Sequence, residues 1–331
     1  MSRLTTATIT SARVWADRKP TYYLVHAQGN AGVIAANRLL AAGLAPAWLS
    51  SALDVRGFTY QPGSLVVNAA PATAAAAVDK IASQLGLRVD GLTGKPPVGL
   101  KPLPRSRVAV YRPWAENIDE GWTRWVLEQY EFPYKTVMDA DVRAGNLRAE
   151  FDVVILPSQA PERFVIGSPR DLVPAAYAGG LGEEGVRALK TFVEAGGTLV
   201  ALDQASGFAI TAFGLPAQDV TRDAKGDAFF CPGSLVRLDV DPTQPLAYGM
   251  QSHPAGFFAF SAAYDVPSNL ATATVARYAN KDVLVSGWLD GEQVIAGRSA
   301  VVNFPVGSGR VVLLGFPVQH RGQSLATFRF L

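Results

Sequence analysis

The sequence predicts an α/β protein in two parts. A smaller α/β unit covers residues 1–104, and a parallel sheet with helices on both faces, carrying β-rich insertions, covers 105–331. Three observations predict this. Short apolar strands alternate with amphipathic segments of helical length, the pattern of a parallel sheet with right-handed crossovers. The run from Asp152 to Leu156 is almost continuously apolar, as in a strand covered on both faces. Finally, Lys95 to Pro104 carries four prolines, a linker composition that separates two sets of alternations.

The elements follow in order. Tyr22–Val25 reads as a strand, Gln28-Gly29-Asn30 as a turn with Asn30 at the N-cap, and Ala31–Ala42 as a helix stopped by Gly43. Ala47–Leu49 completes a strand–helix–strand unit. Ser64–Asn68 is a further strand, and Pro71 opens an alanine-rich helix closed by Gly86. In the second part, Arg107–Tyr111 is a strand, and Asn117 or Asp119 caps a helix reaching Tyr130. Tyr134–Met138, Asp152–Leu156 and Thr198–Leu202 are strands, with a helix over Glu183–Ala195 ended by Gly196-Gly197. From about residue 217 to 305 the pattern changes to strands and turns: Ser234–Val240, Phe257–Ala262, Ala273–Tyr278, Val283–Trp288, Val294–Ile295 and Ala300–Phe304. A turn at Val306–Gly309 leads into a last sheet strand, Arg310–Phe316, and the apolar tail 325–331 reads as a helix.

Composition excludes several classes of function. Hydrophobic residues make up 49% and charged residues 18% of 331 residues, which rules out intrinsic disorder. Thirty Lys and Arg against 28 Asp and Glu leave a net charge of +2, too balanced for a nucleic-acid or anionic-membrane partner. One cysteine forbids an intrachain disulfide and a cysteine-built zinc site. No apolar run is long enough to span a bilayer. Met1–Pro20 lacks the apolar core of an export signal, so localisation stays open.

In an open α/β sheet the working positions are loops at the carboxyl ends of strands. Three such loops stand out: Arg112-Pro113-Trp114, Pro157-Ser158-Gln159 and Asp203-Gln204-Ala205-Ser206. The third has the layout of a strand turning sharply into a helix, with Ser206 as its candidate nucleophile or, like Asp203, a helix cap. His320 follows the last strand and can serve as a base, although no carboxylate follows closely to orient it. Trp114, Trp122 and Trp125 with Arg112 and Arg124 form either an aromatic recognition surface or ordinary helix–sheet packing. Asp119 and Glu120 sit where a helix dipole favours negative charge. Cys231 reads as a packed loop thiol, and the glycines at 179, 180 and 182 as a flexible loop over the sheet edge. No histidine is followed three residues later by a carboxylate, so a metallopeptidase ligand pair is missing and no metal or cofactor is expected in this chain.

A resemblance adds to this reading. Tyr23-Leu24-Val25, Asn30-Ala31 and Asn37-Arg38-Leu39-Leu40 carry it at the start. Asp119-Glu120-Gly121-Trp122-Thr123-Arg124, the stretch Phe192 to Leu202 and Pro245-Leu246-Ala247-Tyr248-Gly249-Met250 continue it. Leu284-Val285-Ser286-Gly287-Trp288, Gly309 to Leu313, Arg321-Gly322-Gln323 and Thr327-Phe328 complete it. Jointly these resemble the C-terminal, non-peptidase region of bacterial zinc carboxypeptidases of the carboxypeptidase A-like family. The resemblance implies a class I glutamine amidotransferase-like, flavodoxin-like sheet, and a zinc peptidase domain located elsewhere in a longer parent chain, often secreted or periplasmic. Working amidotransferases carry a cysteine at the elbow and a His-x-Glu pair after the last strand. This chain offers Ala205 or Ser206, and His320 followed by Arg321 and Gly322.

The expectation is therefore a non-catalytic accessory region that packs on the peptidase domain or binds a small molecule, peptide or glycan. Arg112, Trp114, Asp119, Glu120, Trp122, Arg124, Gln159, Gln204 and Arg321 are its candidate ligand-binding residues. The alternatives are a hydrolase or amidotransferase using Ser206 and His320, and a purely structural spacer.

Overall fold

The computed structural model describes residues 14–169, 171–224 and 228–331, so most of the amino-terminal segment read for an export signal lies outside the described residues. The chain divides into two compact units, residues 1–105 with 242–250, and residues 106–241 with 251–331.

The first unit holds β1 (Val14–Ala16), β2 (Tyr22–Val25), α1 (Ala31–Ala41), β3 (Ala47–Trp48), β4 (Leu53–Val55), β5 (Phe58–Tyr60), β6 (Leu65–Asn68), α2 (Thr73–Leu85), β7 (Val89–Leu92) and β8 (Lys101–Pro102). Its sheet runs β1-β7-β2-β6-β3-β8. The strand–helix–strand unit β2-α1-β3 is present, but β6 lies between its strands and runs antiparallel to both. With α2 and β7 this makes a split βαβ arrangement, largely antiparallel. The segment read as a proline-rich linker contributes β8, an edge strand on β3, where proline is tolerated because an outward N–H is not needed. Two helix starts differ from expectation. Asn30 precedes α1 without a side-chain cap, and α2 begins at Thr73, two residues past Pro71. Gly86 ends α2 in the left-handed region as its missing Cβ allows.

The second unit opens with β9 (Val108–Tyr111), α3 (Ile118–Gln129), β10 (Tyr134–Val137), α4 (Asp139–Ala144), α5 (Leu147–Glu150), β11 (Val153–Leu156), α6 (Pro161–Ile166), α7 (Gly182–Glu194), β12 (Thr198–Leu202) and α8 (Ala205–Phe213). It continues with β13 (Gln218–Asp219), α9 (Val220–Asp223), β14 (Ser234–Val240), β15 (Ala255–Phe258), β16 (Tyr264–Asp265), β17 (Thr274–Tyr278), β18 (Leu284–Ser286), α10 (Glu292–Ile295), β19 (Ser299–Val306) and β20 (Gly309–Leu314). Five strands, in the order β10-β9-β11-β12-β20, are parallel throughout. Numbered along the chain they run 2-1-3-4-5, a doubly wound order whose direction reverses between β9 and β11. Ala109, Val154, Leu199, Ala201, Val311 and Leu313 from these strands bury one face against Leu189, Phe192 and Val193 of α7 and Phe208 of α8. Burying side chains of this size contributes roughly 1.5–3 kcal/mol each.

The β-rich segment is not a separate insertion on the sheet but its extension. β20 pairs antiparallel with β19, and β17, β14 and β15 continue the same sheet. Val294 and Ile295, read as a strand, belong instead to the helical turn α10, and the tail read as a helix is one tight turn over Phe328–Phe330.

Candidate functional site

The sheet order reverses between the paired strands β9 and β11, and the loops leaving their carboxyl ends part there. A cleft of about 600 Å³ occupies this place. Tyr111, Trp114, Asn117 and Asp119 come to it from the end of β9 and the start of α3, Ser158 and Gln159 from the end of β11, and Gln204 from the end of β12. Asn117 fixes the geometry: its Oδ1 accepts from the Glu120 amide at 3.0 Å, capping α3, and its Nδ2 donates to the Ser158 carbonyl at 3.1 Å.

The cleft is acidic. Burial raises Asp119 above the ordinary carboxylate range, and the Arg321 charge partly opposes this. Asp139 is likewise raised by burial, while the Tyr111 hydroxyl, donating to it at 2.7 Å, and Arg143 pull it back. Tyr111 itself is pushed upward by burial and by that same carboxylate. Glu116 adds a third acid, and Arg163 adds a cation to the lining. Trp114 stacks on Tyr177 with ring centroids 3.6 Å apart, and both rings remain about two-fifths exposed. The glycine-rich segment before α7 is anchored. Ser168 bridges Gly179, Arg143 donates to the Gly180 carbonyl, and a Cβ on Gly167 would meet the Gly179 oxygen at 2.0 Å.

At the end of β12 the sharp turn is centred on Asp203, not Ser206. Asp203 adopts φ 48, the left-handed strain expected at an elbow, and neither it nor Ser206 caps α8, whose N-cap is Gln204. The Asp203 carboxyl is buried. Its Oδ2 accepts from Ser158 Oγ at 2.9 Å, while Oδ1 makes no hydrogen bond of good geometry. Burial pushes its pKa up to about 7, the Ser158 and Ser261 hydroxyls oppose this, and the Asp119 charge adds to it. Ser206 is fully buried with its hydroxyl donating to the Ala201 carbonyl at 3.1 Å. His320 stacks flat on Phe257, 3.7 Å between centroids, and burial together with Arg321 lowers its pKa. The Ser206–His320 pair is therefore not an assembled nucleophile and base.

Of the expected ligand-binding residues, Trp114, Asp119, Gln159 and Gln204 come together in the cleft, and Arg321 acts on it through its charge. Four others do not line it. Arg112 is exposed beside β10, and Glu120 is buried in an ion pair with Arg124 at 2.6 Å. Trp122 packs edge-on against Trp125 along the same helix. For those on α3 this follows from helical spacing: four residues bring Glu120 and Arg124 onto one stripe, away from Asp119. Tyr111, Asp139, Ser158, Arg163 and Asp203 were not singled out as binding or reacting groups. For Asp203 the signal was present, because Ala201 and Ala205 are small residues two places either side of it, the spacing an elbow requires.

Cys231 is buried, and its thiol is shifted upward by burial. Among the described residues no three His, Cys, Asp or Glu side chains are grouped as metal ligands, and no helix is long and apolar enough to cross a membrane.

No protein-family model and no curated protein matches the chain. Distant likenesses exist among solved structures. A cytoplasmic protein of Salmonella typhimurium is 11% identical with a TM-score of 0.41, covering 64% of this chain and 88% of its own. A protein of Bacteroides uniformis described as ThuA-like is 10% identical, TM-score 0.37, over 72% of this chain and 92% of its own. A β-galactosidase of Bacillus circulans sp. alkalophilus is 11% identical, TM-score 0.39, over 64% of this chain but only 28% of its own.

Proposed function

We propose that this chain is a ligand-binding accessory region of a zinc carboxypeptidase-like protein, built on a class I glutamine amidotransferase-like sheet that has lost its acyl-transfer chemistry. The observation carrying this reading is the residue at the elbow. Acyl transfer needs a thiol or hydroxyl standing exposed at the strained position, next to an oriented base. Here that position holds Asp203, a buried carboxyl engaged by Ser158, and the nearest hydroxyl along the helix, Ser206, is fully buried. What is left is a preformed cleft with a stacked aromatic pair on one side and acids on the other. Glu116, Asp119 and Asp139 against Arg163 favour a ligand with an amino group, and Arg163 suits a carboxylate on the same molecule. An amino acid or short peptide combines both, which fits a partner domain that releases amino acids from peptides.

A thermal-shift series of amino acids and dipeptides tests this. A ligand selective for the folded state raises the apparent stability by about 2.7 kcal/mol at a hundredfold excess over its Kd. Basic dipeptides are expected to raise the melting temperature, Trp114→Ala to abolish the rise, and Ser206→Ala to leave it unchanged. Absence of any shift across the series overturns the reading. A second reading, an acid–base hydrolase, has one observation in its favour: the Asp203 carboxyl stands near neutrality beside the Asp119 charge, as a general acid would. Turnover lost in Asp203→Asn would favour it.

A further inference from the structure

On the other side of Gln204 a second cavity, about 320 Å³, opens between the first turns of α8 and the segment around β13 and β16. Asp203 lines it at only 7% exposure, with Oδ1 making no hydrogen bond of good geometry. A buried acceptor without a well-formed hydrogen bond is destabilising, so the arrangement is suited to a ligand group that supplies one. Arg222 and Asp219 also line the cavity, and Tyr264 contributes a buried hydroxyl that makes no hydrogen bond of good geometry. At its mouth stands Phe260, 67% exposed, with φ 49 and its N–H donating to the Cys231 carbonyl at 3.0 Å. Two strained non-glycine residues thus meet in one cavity.

Phe260 begins a row of exposed rings. Phe230 lies edge-on to it with centroids 6.1 Å apart, and Trp288 lies edge-on to Phe230 at 6.2 Å. Trp288 is 62% exposed, yet it is fixed from both ends. Its amide receives Ser234 Oγ as acceptor at 2.9 Å, and its Nε1 donates to Asp290 Oδ2 at 2.7 Å. Rings that are fixed and still unburied do not serve the core.

The chemistry of these parts excludes most ligands. Asp219 and Arg222 pair at 3.7 Å and offset each other, and the buried Asp203 carboxyl takes up a proton readily, so the cavity favours neither an anion nor a cation. Adjacent donors and acceptors around an aromatic face suit a neutral ring with hydroxyl edges and an apolar C–H face. We infer that the cavity takes the terminal pyranose of a neutral saccharide chain, with the next sugar residues lying over Phe230 and Trp288. Asp203 and Tyr264 would receive or give hydrogen bonds to ring hydroxyls, and Phe260 would cover the C–H face. This cavity shares Gln204 with the first cleft but otherwise uses other side chains, and it stands whether or not that cleft binds peptides.

Calorimetric titration of the full chain with β-1,4-linked tetrasaccharides of glucose, mannose, galactose and N-acetylglucosamine, and with each monosaccharide, tests the inference. At least one tetrasaccharide is expected to bind more tightly than its monosaccharide. Phe260→Ala should weaken both about tenfold, equivalent to about 1.4 kcal/mol. Trp288→Ala, a change at an exposed ring, should weaken only the tetrasaccharide, and Trp114→Ala in the other cleft should weaken neither. Four outcomes overturn it: no saccharide binding, equal affinity for monomer and tetramer, indifference to both Phe260→Ala and Trp288→Ala, or loss of binding in Trp114→Ala.

Discussion

Asp203 combines two unfavourable features, a left-handed backbone and a carboxyl shut away from water. Their sum has a pH signature. With a pKa near 7 against an ordinary 3.8, the folded chain holds a proton that the unfolded chain releases throughout that interval. Stability conferred by this group is therefore complete below pH 3.8 and is lost as pH rises through 7, by roughly 4 kcal/mol in all. Asp203→Asn keeps the shape without the charge, and asparagine tolerates the left-handed region better. In urea titrations the variant should match the parent near pH 4 and exceed it by roughly 4 kcal/mol at pH 9. A difference that stays constant with pH would show that the carboxyl ionises freely in the fold. His26 and His320 shift downward and act in the opposite direction, but they are common to both chains and cancel. The elbow was legible as a place in the sequence, from an apolar strand running into a small-residue turn. Its central residue was not, because Ser206 offers the hydroxyl that elbow chemistry uses and burial cannot be read from residue type alone.

Helix α3 shows how one element sets a site. Asn117 uses both ends of its amide, one to close the helix and one to hold the Ser158 loop. Asn117→Ala should cost about 1 kcal/mol for the cap, with a further loss for the loop contact. Asn117→Asp, which keeps the acceptor and loses the donor, should recover only the cap portion in the same denaturation experiment. Equal stability of all three chains would mean that the cleft wall holds itself. Caps and 3.6-residue spacing made α3, α7 and most parallel strands readable to within a residue or two. Short elements were less so. The hairpin β4–β5 has three-residue strands, too brief for alternation to register, although Arg56-Gly57 makes a tight turn with both φ values positive. Val294 and Ile295 are β-branched, yet they sit in a single helical turn that starts at Gly291. The antiparallel character of the first unit was hidden for another reason: strand–helix–strand spacing does not reveal a third strand slipped between the two.

At the scale of the molecule, the first unit is completed by chain from far along the sequence. Residues 242–250 belong to the first unit, where the Gly249 carbonyl accepts from the Gly29 amide at 2.8 Å. Tyr248 is buried beside Gly63, whose φ of 85 and missing Cβ make room for it; a methyl there would lie 2.6 Å from the tyrosine Cβ. Tyr248→Ala should destabilise this unit by about 3 kcal/mol, as removal of a buried aromatic ring does. Hydrogen exchange should report lost protection first around β6, with β9, β11 and β12 unaffected. Uniform loss across both units would refute a local role.

That borrowed segment also sets a timetable for synthesis. A ribosome that has released residue 105 has delivered only part of the first unit, and the missing piece emerges after nearly one hundred and forty further residues. At about 5–20 residues per second the nascent amino-terminal half must wait many seconds, with the surface meant for Tyr248 uncovered. Final closure of the first unit is thus postponed until residues 242–250 have been made, and aggregation during that interval is where chaperones would act on this chain.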